Sequence, residues 1–283
     1  MPFSAPRRAA PQVKSRRAQA GVLLLRLAKA LCVGLLWVYL SQGVESAEAR
    51  IAVAANFRNT ALVIAEELQR VSPHRYEIIA GSTGKLASQI LNGAPFDIFM
   101  AADRDRPLQL VDRGAAVAGS QQIYAVGELG LWWPGVSGTP AVGALANLEP
   151  RSVCIANPAF APYGEAAWHS LARSNISAVW REGILRVDNI NLVTGFVAQG
   201  HVSAGFVARS SLISGVRNGS LRVNESEVLW LAGDAKLDQM MVLLTQGENN
   251  PAAQFWIDQM QTPFVRELIR RDGYRLPGEE TDA

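Results

Sequence analysis

The chain has 283 residues, about half of them hydrophobic, which is enough for one large domain or two small ones with a sizeable core. Its formal charge of +2 is unevenly spread: the first 49 residues carry Arg7, Arg8, Lys14, Arg16, Arg17, Arg26 and Lys29 against Glu45 and Glu48, leaving 20 basic and 23 acidic residues, a net of −3, in the remainder. A mildly acidic body excludes the basic footprint of a nucleic-acid binder, so no nucleic-acid partner is expected.

Residues 1–49 read as a signal peptide. A basic leader precedes an apolar run from Ala30 to Leu40, and Ala47-Glu48-Ala49 supplies a small-x-small cleavage pattern. The run is short for a membrane span, and Arg26 and Lys29 stand just upstream of it. An uncleaved anchor is the competing reading. Ser15-Arg16-Arg17 is a weak twin-arginine signal, because Ala18-Gln19-Ala20 stand where apolar residues belong. Leu31 before Cys32 argues against a lipoprotein site. Removing the leader leaves Cys154 alone, so neither an internal disulfide nor a cysteine-based metal site can form. Cys154 lies in a strand-like run and reads as a buried structural thiol.

In the mature chain, Arg50 to Asn56 reads as a strand and Thr60 to Leu68 as a helix. Strands over Tyr76–Ala80 and Phe96–Ala101 alternate with helices over Lys85–Leu91 and Pro107–Asp112. This alternation with short connections predicts βαβ units and a parallel sheet. A β-rich segment, Gln122 to Trp133, and a Gly/Pro loop, Gly135 to Pro140, interrupt it. A second set then follows: strand Arg151–Ala156, helix Glu165–Arg173, strand Arg186–Ile190, helix Leu192–Gln199 and strand Ala204–Ala208. Val228–Leu231 is a further β-type run, and Ala252–Met260 and Phe264–Arg271 read as helices. Two alternating sets predict two α/β lobes.

The junction Gly81-Ser82-Thr83-Gly84-Lys85 places hydroxyls and glycines at a helix start. Such a start offers unpaired N–H groups and the positive end of the helix dipole, a setting for an anion held by neutral donors. Three sharper readings compete. A phosphate-binding P-loop has the wrong spacing, and Leu86 stands where a magnesium-binding hydroxyl is needed. A nucleophile elbow has Ala80 at its first glycine position and needs a histidine; His74, His169 and His201 all sit in surroundings that suit the surface. A plain helix cap needs nothing more than Ser or Thr. On this junction alone the plain cap prevails.

Other motifs accompany it. Ala54-Ala55-Asn56-Phe57 also runs from strand into helix, with Asn56 able to donate from its amide. Then come "NGAPFDIFMAAD" (92–103), "NPAFAPYG" (157–164) and Gly205-Phe206-Val207-Ala208. In this order and at these separations, from about Ile51 to the C-terminal helices, the chain resembles the periplasmic molybdate-binding proteins of ABC importers, in the branch with Asn after the first strand.

That resemblance implies a type II periplasmic binding fold, α/β, with two lobes, each a mixed sheet flanked by helices. The expected division is 50–126 for the first part of lobe 1, 127–228 for lobe 2 and 229–283 for the return to lobe 1. Asn56 and Ser82 match the first-lobe ligands of a tetrahedral oxyanion. Ala55 matches a position that contacts it, here through backbone only. Tyr163 matches the second-lobe contact, and Ile190 one made through its backbone N–H. Ala208 stands where some members have a tyrosine. The ligand implied is molybdate or tungstate, with molybdenum present only inside the anion, no direct metal ligands, no cofactor and no catalysis. The partner implied is the membrane permease of an ABC importer, the location the periplasm and the working form a monomer. Sulfate or a small organic anion on the same fold, and a serine hydrolase using Ser82, are the alternatives.

The remaining candidates take structural readings. Lys85 is expected to be solvent-exposed on its helix. Asp97 is read as packing or capping, Asp103 as a turn residue, and Trp132, Trp133, Trp168, Trp180, Trp230 and Trp256 as core.

Overall fold

The computed structural model describes residues 46–231 and 237–279. The expected leader lies outside the described residues except for positions 46–49. Strand β1 spans Glu48–Ala54, so it starts inside the segment assigned to the leader. Glu48 and Ala49 pair with Arg75 and Tyr76 of β2 (Arg75–Gly81), and the fold thus uses two residues that cleavage after Ala49 would remove.

The first sheet runs β2-β1-β3-β10-β4, with β3 at Ile98–Met100, β4 at Gln122–Gly127 and β10 at Leu237–Leu243. β1 is parallel to β2 and β3, whereas β10 is antiparallel to β3 and β4. The second sheet runs β7-β6-β8-β5-β9: Leu185–Val187, Val153–Ala156, Ala204–Ala208, Leu129–Trp132 and Val228–Trp230. It repeats the pattern, with β6 parallel to β7 and β8, and β5 antiparallel to β8 and β9. The segment read as one β-rich run is therefore two strands in two sheets, split at Glu128. The chain returns between Trp230 and Leu237. The boundary expected at residue 229 falls inside β9, whose Leu229 and Trp230 pair with Leu131 and Gly130 in the second sheet.

Both faces of the first sheet are covered. Ile51, Val53, Ile98, Met100 and Met241 point into one buried cluster, while the alternating Ala52, Phe99 and Val242 point into another. Continuous apolar runs such as Ile51-Ala52-Val53-Ala54 are the consequence of this two-sided burial. α1 (Arg58–Val71) buries Ala61, Ile64, Ala65 and Leu68 at helical spacing, and α2 (Thr83–Leu91) buries Leu86, Ala87 and Ile90. α3 spans Asp105–Asp112. In the second lobe, α4 (Pro162–Arg173), α5 (Ala178–Glu182), α6 (Ile190–Ala198) and α7 (Arg209–Arg217) pack with the second sheet around a core that includes Trp132, Ile155, Phe206 and Cys154. Gly164 lets α4 lie close to β6, because a Cβ there would stand 2.1 Å from the Ala156 carbonyl oxygen. α8 (Pro251–Gln259) and α9 (Pro263–Arg271) close the first lobe, with Trp256 fully buried. No helix of the described residues is long and apolar enough to cross a membrane.

Several expectations need correction. α5, α7 and β10 were not foreseen. Ile190 is the first residue of α6 rather than the end of a strand. His74 is buried against the Phe255 ring instead of lying at the surface, whereas His169 and His201 are exposed. Cys154 is fully buried, and burial pushes its thiol up to about 12. Trp132 and Trp256 are buried, and Trp133, Trp168, Trp180 and Trp230 pack against the second core.

Candidate functional site

Ala55, Asn56, Ser82, Tyr163 and Ile190 meet at one small cavity, together with Ala54, Gly81, Thr83, Ala102, Ala161, Pro162 and Asn189. Its volume is about 10 Å³, room for a single water. Four chain segments that begin helices converge there, two from each lobe. They are the 3-10 turn Ala55–Phe57 leading into α1, the start of α2, and the starts of α4 and α6.

Local sequence decides which donors each start leaves free. At α2, Ser82 is the N-cap residue but makes no capping bond, and its buried Oγ has no partner. The Gly84 N–H goes across the cleft to the Phe160 carbonyl (2.8 Å) and the Leu86 N–H to Ser82 O (3.0 Å); of the remaining first-turn N–H groups, those of Thr83 and Lys85, Thr83 lines the cavity. At α4, Pro162 has no N–H, and both Gly164 and Glu165 bond to Ala161 O (2.9 and 3.0 Å). The Tyr163 N–H remains. At α6, Asn189 Oδ1 accepts from Asn191 and Leu192 (3.1 and 3.2 Å), so the Ile190 N–H is the one left for the cavity. At the 3-10 turn the first N–H groups, those of Ala55 and Asn56, have no partner within the turn. Helix dipoles place positive potential at all four points.

The side chain of Asn56 behaves differently from expectation. Its Nδ2 already donates to Gln239 Oε1 (2.8 Å) and Tyr274 Oη (3.1 Å). Both amide protons are spent inside the protein, so the donor it offers the cavity is its backbone N–H. Tyr163 is buried, and its Oη accepts from Gln239 Nε2 (3.2 Å). Burial holds the Tyr163 phenol well above its ordinary range, so it is a neutral donor. Ala208 is the buried residue capping α7 and brings no hydroxyl.

Charged side chains lie outside the cavity lining. Lys85 is half-exposed but not free: its Nζ pairs with Asp188 of the second lobe at 2.6 Å and stands over the Phe160 ring. Asp97 accepts from the Arg50 N–H of β1 (2.7 Å) and from Nδ2 of Asn250, the N-cap of α8 (3.0 Å), a structural tie between strand and helix start rather than a cap. Asp103 accepts from the Arg106 N–H (3.0 Å) and pairs with its guanidinium (2.6 Å), while burial raises its carboxyl. A larger crevice of about 240 Å³ is lined by Asp103, Asp105, Glu165, Asp238, Arg104 and His169 among others. Its carboxylates repel an anion, so size does not make it the better site. No histidine or carboxylate touches Ser82 Oγ among the described residues, which leaves that hydroxyl without a base.

Sequence reasoning named Thr83 as a hydroxyl at the junction, where its Oγ1 instead accepts from the Ala102 N–H (3.2 Å), and it missed Asn189 and the cluster behind the cavity, Gln239, Tyr124 and Tyr274. Asn189 followed by an apolar run is a helix-start signal, obscured by reading a strand through Ile190. Gln239 is a lone amide in the apolar run Leu237-Asp238-Gln239-Met240-Met241-Val242, a signal that a strand assignment there would have exposed.

Two sheets of like topology, joined by two crossings and meeting at a cavity of helix starts, define the class of two-lobed periplasmic binding proteins. A family model described as bacterial extracellular solute-binding protein matches residues 49–275. The molybdate-binding protein ModA of Azotobacter vinelandii is 37% identical over 257 residues, 89% of this chain and 98% of that protein. ModA of Rhodobacter capsulatus is 34% identical over 223 residues, 79% of this chain and 86% of its own length. The solved periplasmic molybdate-binding protein of Azotobacter vinelandii superposes with a TM-score of 0.71 at 27% identity, covering 81% of this chain and 99% of that one. The chain belongs to the bacterial extracellular solute-binding proteins, in the ModA family.

Proposed function

We propose that this protein is a periplasmic receptor that captures molybdate, and tungstate with it, between its lobes and delivers the anion as a monomer to the permease of an ABC importer. The observation that carries the reading is the convergence of four helix starts on one cavity whose lining holds no charged side chain. Ser82 Oγ, the Tyr163 hydroxyl and the N–H groups of Ala55, Asn56, Thr83, Tyr163 and Ile190 supply neutral donors. Each hydrogen bond to a charged group contributes about 1.5–3 kcal/mol, so several together can desolvate a dianion without a cation. The orphaned Ser82 Oγ supports this, because a buried hydroxyl without a partner costs stability that a ligand would recover. The ModA relatives support molybdate as the anion.

A tetrahedral oxyanion needs more room than the cavity offers, so its seating parts the lobes. Such movement breaks cross-cleft contacts such as Gly84 N–H to Phe160 O and Asn191 Nδ2 to Ala55 O (2.6 Å), and closure around the anion remakes them. Sulfate has the same charge and shape with shorter bonds, so donor spacing sets the choice between them. Calorimetric titration of residues 46–283 with molybdate, tungstate and sulfate tests the reading. Tight binding of the first two with sulfate silent is expected. Binding of sulfate alone would overturn the ligand, and binding of none would overturn the receptor role.

A further inference from the structure

A buried polar cluster lies directly behind the cavity. Gln239, on β10 of the first lobe, has no solvent exposure. Its Oε1 accepts from Asn56 Nδ2 (2.8 Å) and from Tyr124 Oη (3.0 Å), which also lies 3.0 Å from the Ala101 carbonyl. Its Nε2 donates to Tyr163 Oη of the second lobe (3.2 Å). Tyr274 Oη accepts from the second Asn56 amide proton and donates to the Asn56 carbonyl (2.9 Å). One side chain thus touches a residue from each half of the cavity.

The proton count makes this more than packing. An amide nitrogen only donates, so Tyr163 Oη must be the acceptor in its bond to Gln239. Its own proton has no acceptor in the described contacts, and Tyr163 lines the cavity. The acceptor end of Gln239 is meanwhile turned to Asn56 and Tyr124, while its nitrogen faces Tyr163, so it does not capture that proton. Gly127, the last residue of β4, makes the bond possible: a Cβ there would stand 2.0 Å from Tyr163 Oη and 2.6 Å from Gln239 Nε2.

We infer that Gln239 is the positioning residue of the site: it holds Asn56 in place from the first lobe and reserves the Tyr163 hydroxyl proton for the bound anion. The inference rests on the proposed oxyanion function for its ligand, but the bond itself does not. Gln239→Met keeps the volume and removes both ends of the amide. Gln239→Glu presents a carboxylate that accepts the Tyr163 hydroxyl's hydrogen bond and, when ionised, adds a negative charge.

The test is a double-mutant cycle of Gln239→Met and Tyr163→Phe, read by molybdate titration at a temperature where every variant is folded. Gln239→Met should weaken binding about tenfold in the wild-type background, the size of one lost hydrogen bond to a charged group. In the Tyr163→Phe background the further loss should be several-fold smaller, the remainder reporting the hold on Asn56 alone. Gln239→Glu should lose more than Gln239→Met. Equal losses from Gln239→Met in both backgrounds would overturn the relay, as would a Gln239→Glu that binds like wild type. The same cycle read by denaturant unfolding without anion reports the bond directly, and additive effects there would also overturn it. If the wild type binds no oxyanion while the unfolding cycle shows coupling, the proposed function falls and the Gln239–Tyr163 bond stands.

Discussion

The cavity and the outer rim of the cleft use opposite physics. At the cavity, two helix starts from each lobe face one another with backbone N–H groups and neutral hydroxyls. Away from it, the lobes meet through charge: the exposed pair Lys85 with Asp188, Arg217 with the buried Asp272, and Glu128 at the crossing between Arg209 (2.6 Å) and Arg275 (3.1 Å). An ion pair at a half-exposed position such as Lys85–Asp188 is weak because water screens it and can replace it. A fixed cation inside the cavity would instead have to be desolvated whenever the site held no anion. Under the proposed function, ionic contacts on the rim suit lobes that come apart, and neutral donors at the centre suit an anion that is released.

That contrast can be broken from either side. The largest effect should come from placing charge in the cavity. Ser82→Asp puts a carboxylate at an N-cap position where Asp is structurally favoured, so the fold should survive. Molybdate binding should fall by more than about a hundredfold, since like charges repel strongly in a dry site. Ser82→Ala removes one donor only. A loss of roughly ten- to a hundredfold is expected by calorimetry, matching one hydrogen bond to a charged group. On the rim, Lys85→Ala should shift affinity by no more than about threefold, and added salt should erase the difference. A Lys85→Ala loss as large as that of Ser82→Ala would move the charge into the site and end the contrast.

The smallest effect should be that of pH on binding. Tyr163 is the one titratable side chain lining the cavity, and burial holds its phenol well above the usual value near 10. Affinity should therefore be flat from roughly pH 6 to 9. Stability has the opposite edge. Cys154 has its thiol raised by burial to about 12, above its unfolded value, so the fold favours the protonated form. Its contribution is fully present below about pH 8.5 and is lost as pH rises toward 12. Melting temperature should decline above pH 9 or so, and less steeply in Cys154→Ala.

Much of this was legible in the residues. Strands such as Ile51–Ala54 and Ala204–Ala208 are apolar on both faces because helices cover both sides, and short connections forced the alternation into parallel units. The five residues expected at the site line one cavity because each stands at or next to a strand-to-helix junction, which is where an open sheet presents its ligands. What escaped was long-range. β10 belongs to the first sheet through antiparallel pairing across more than a hundred residues, and no local pattern announces it. Gln239 rides on that strand, so it stayed hidden too. The Asn56 amide looked free because its partners, Gln239 and Tyr274, arrive from the far end of the chain. Lys85 is substantially exposed, as expected, but its pairing escaped for the same reason: Asp188 belongs to the other lobe.

The measurement that bears most directly on the central claim is a crystal structure of residues 46–283 grown with molybdate. The account predicts the anion between the starts of α1, α2, α4 and α6, accepting from Ser82 Oγ, Tyr163 Oη and the N–H groups of Asn56 and Ile190, with Lys85 still paired to Asp188. Molybdate seated against Lys85, or in the crevice bounded by Asp103 and His169, would contradict it.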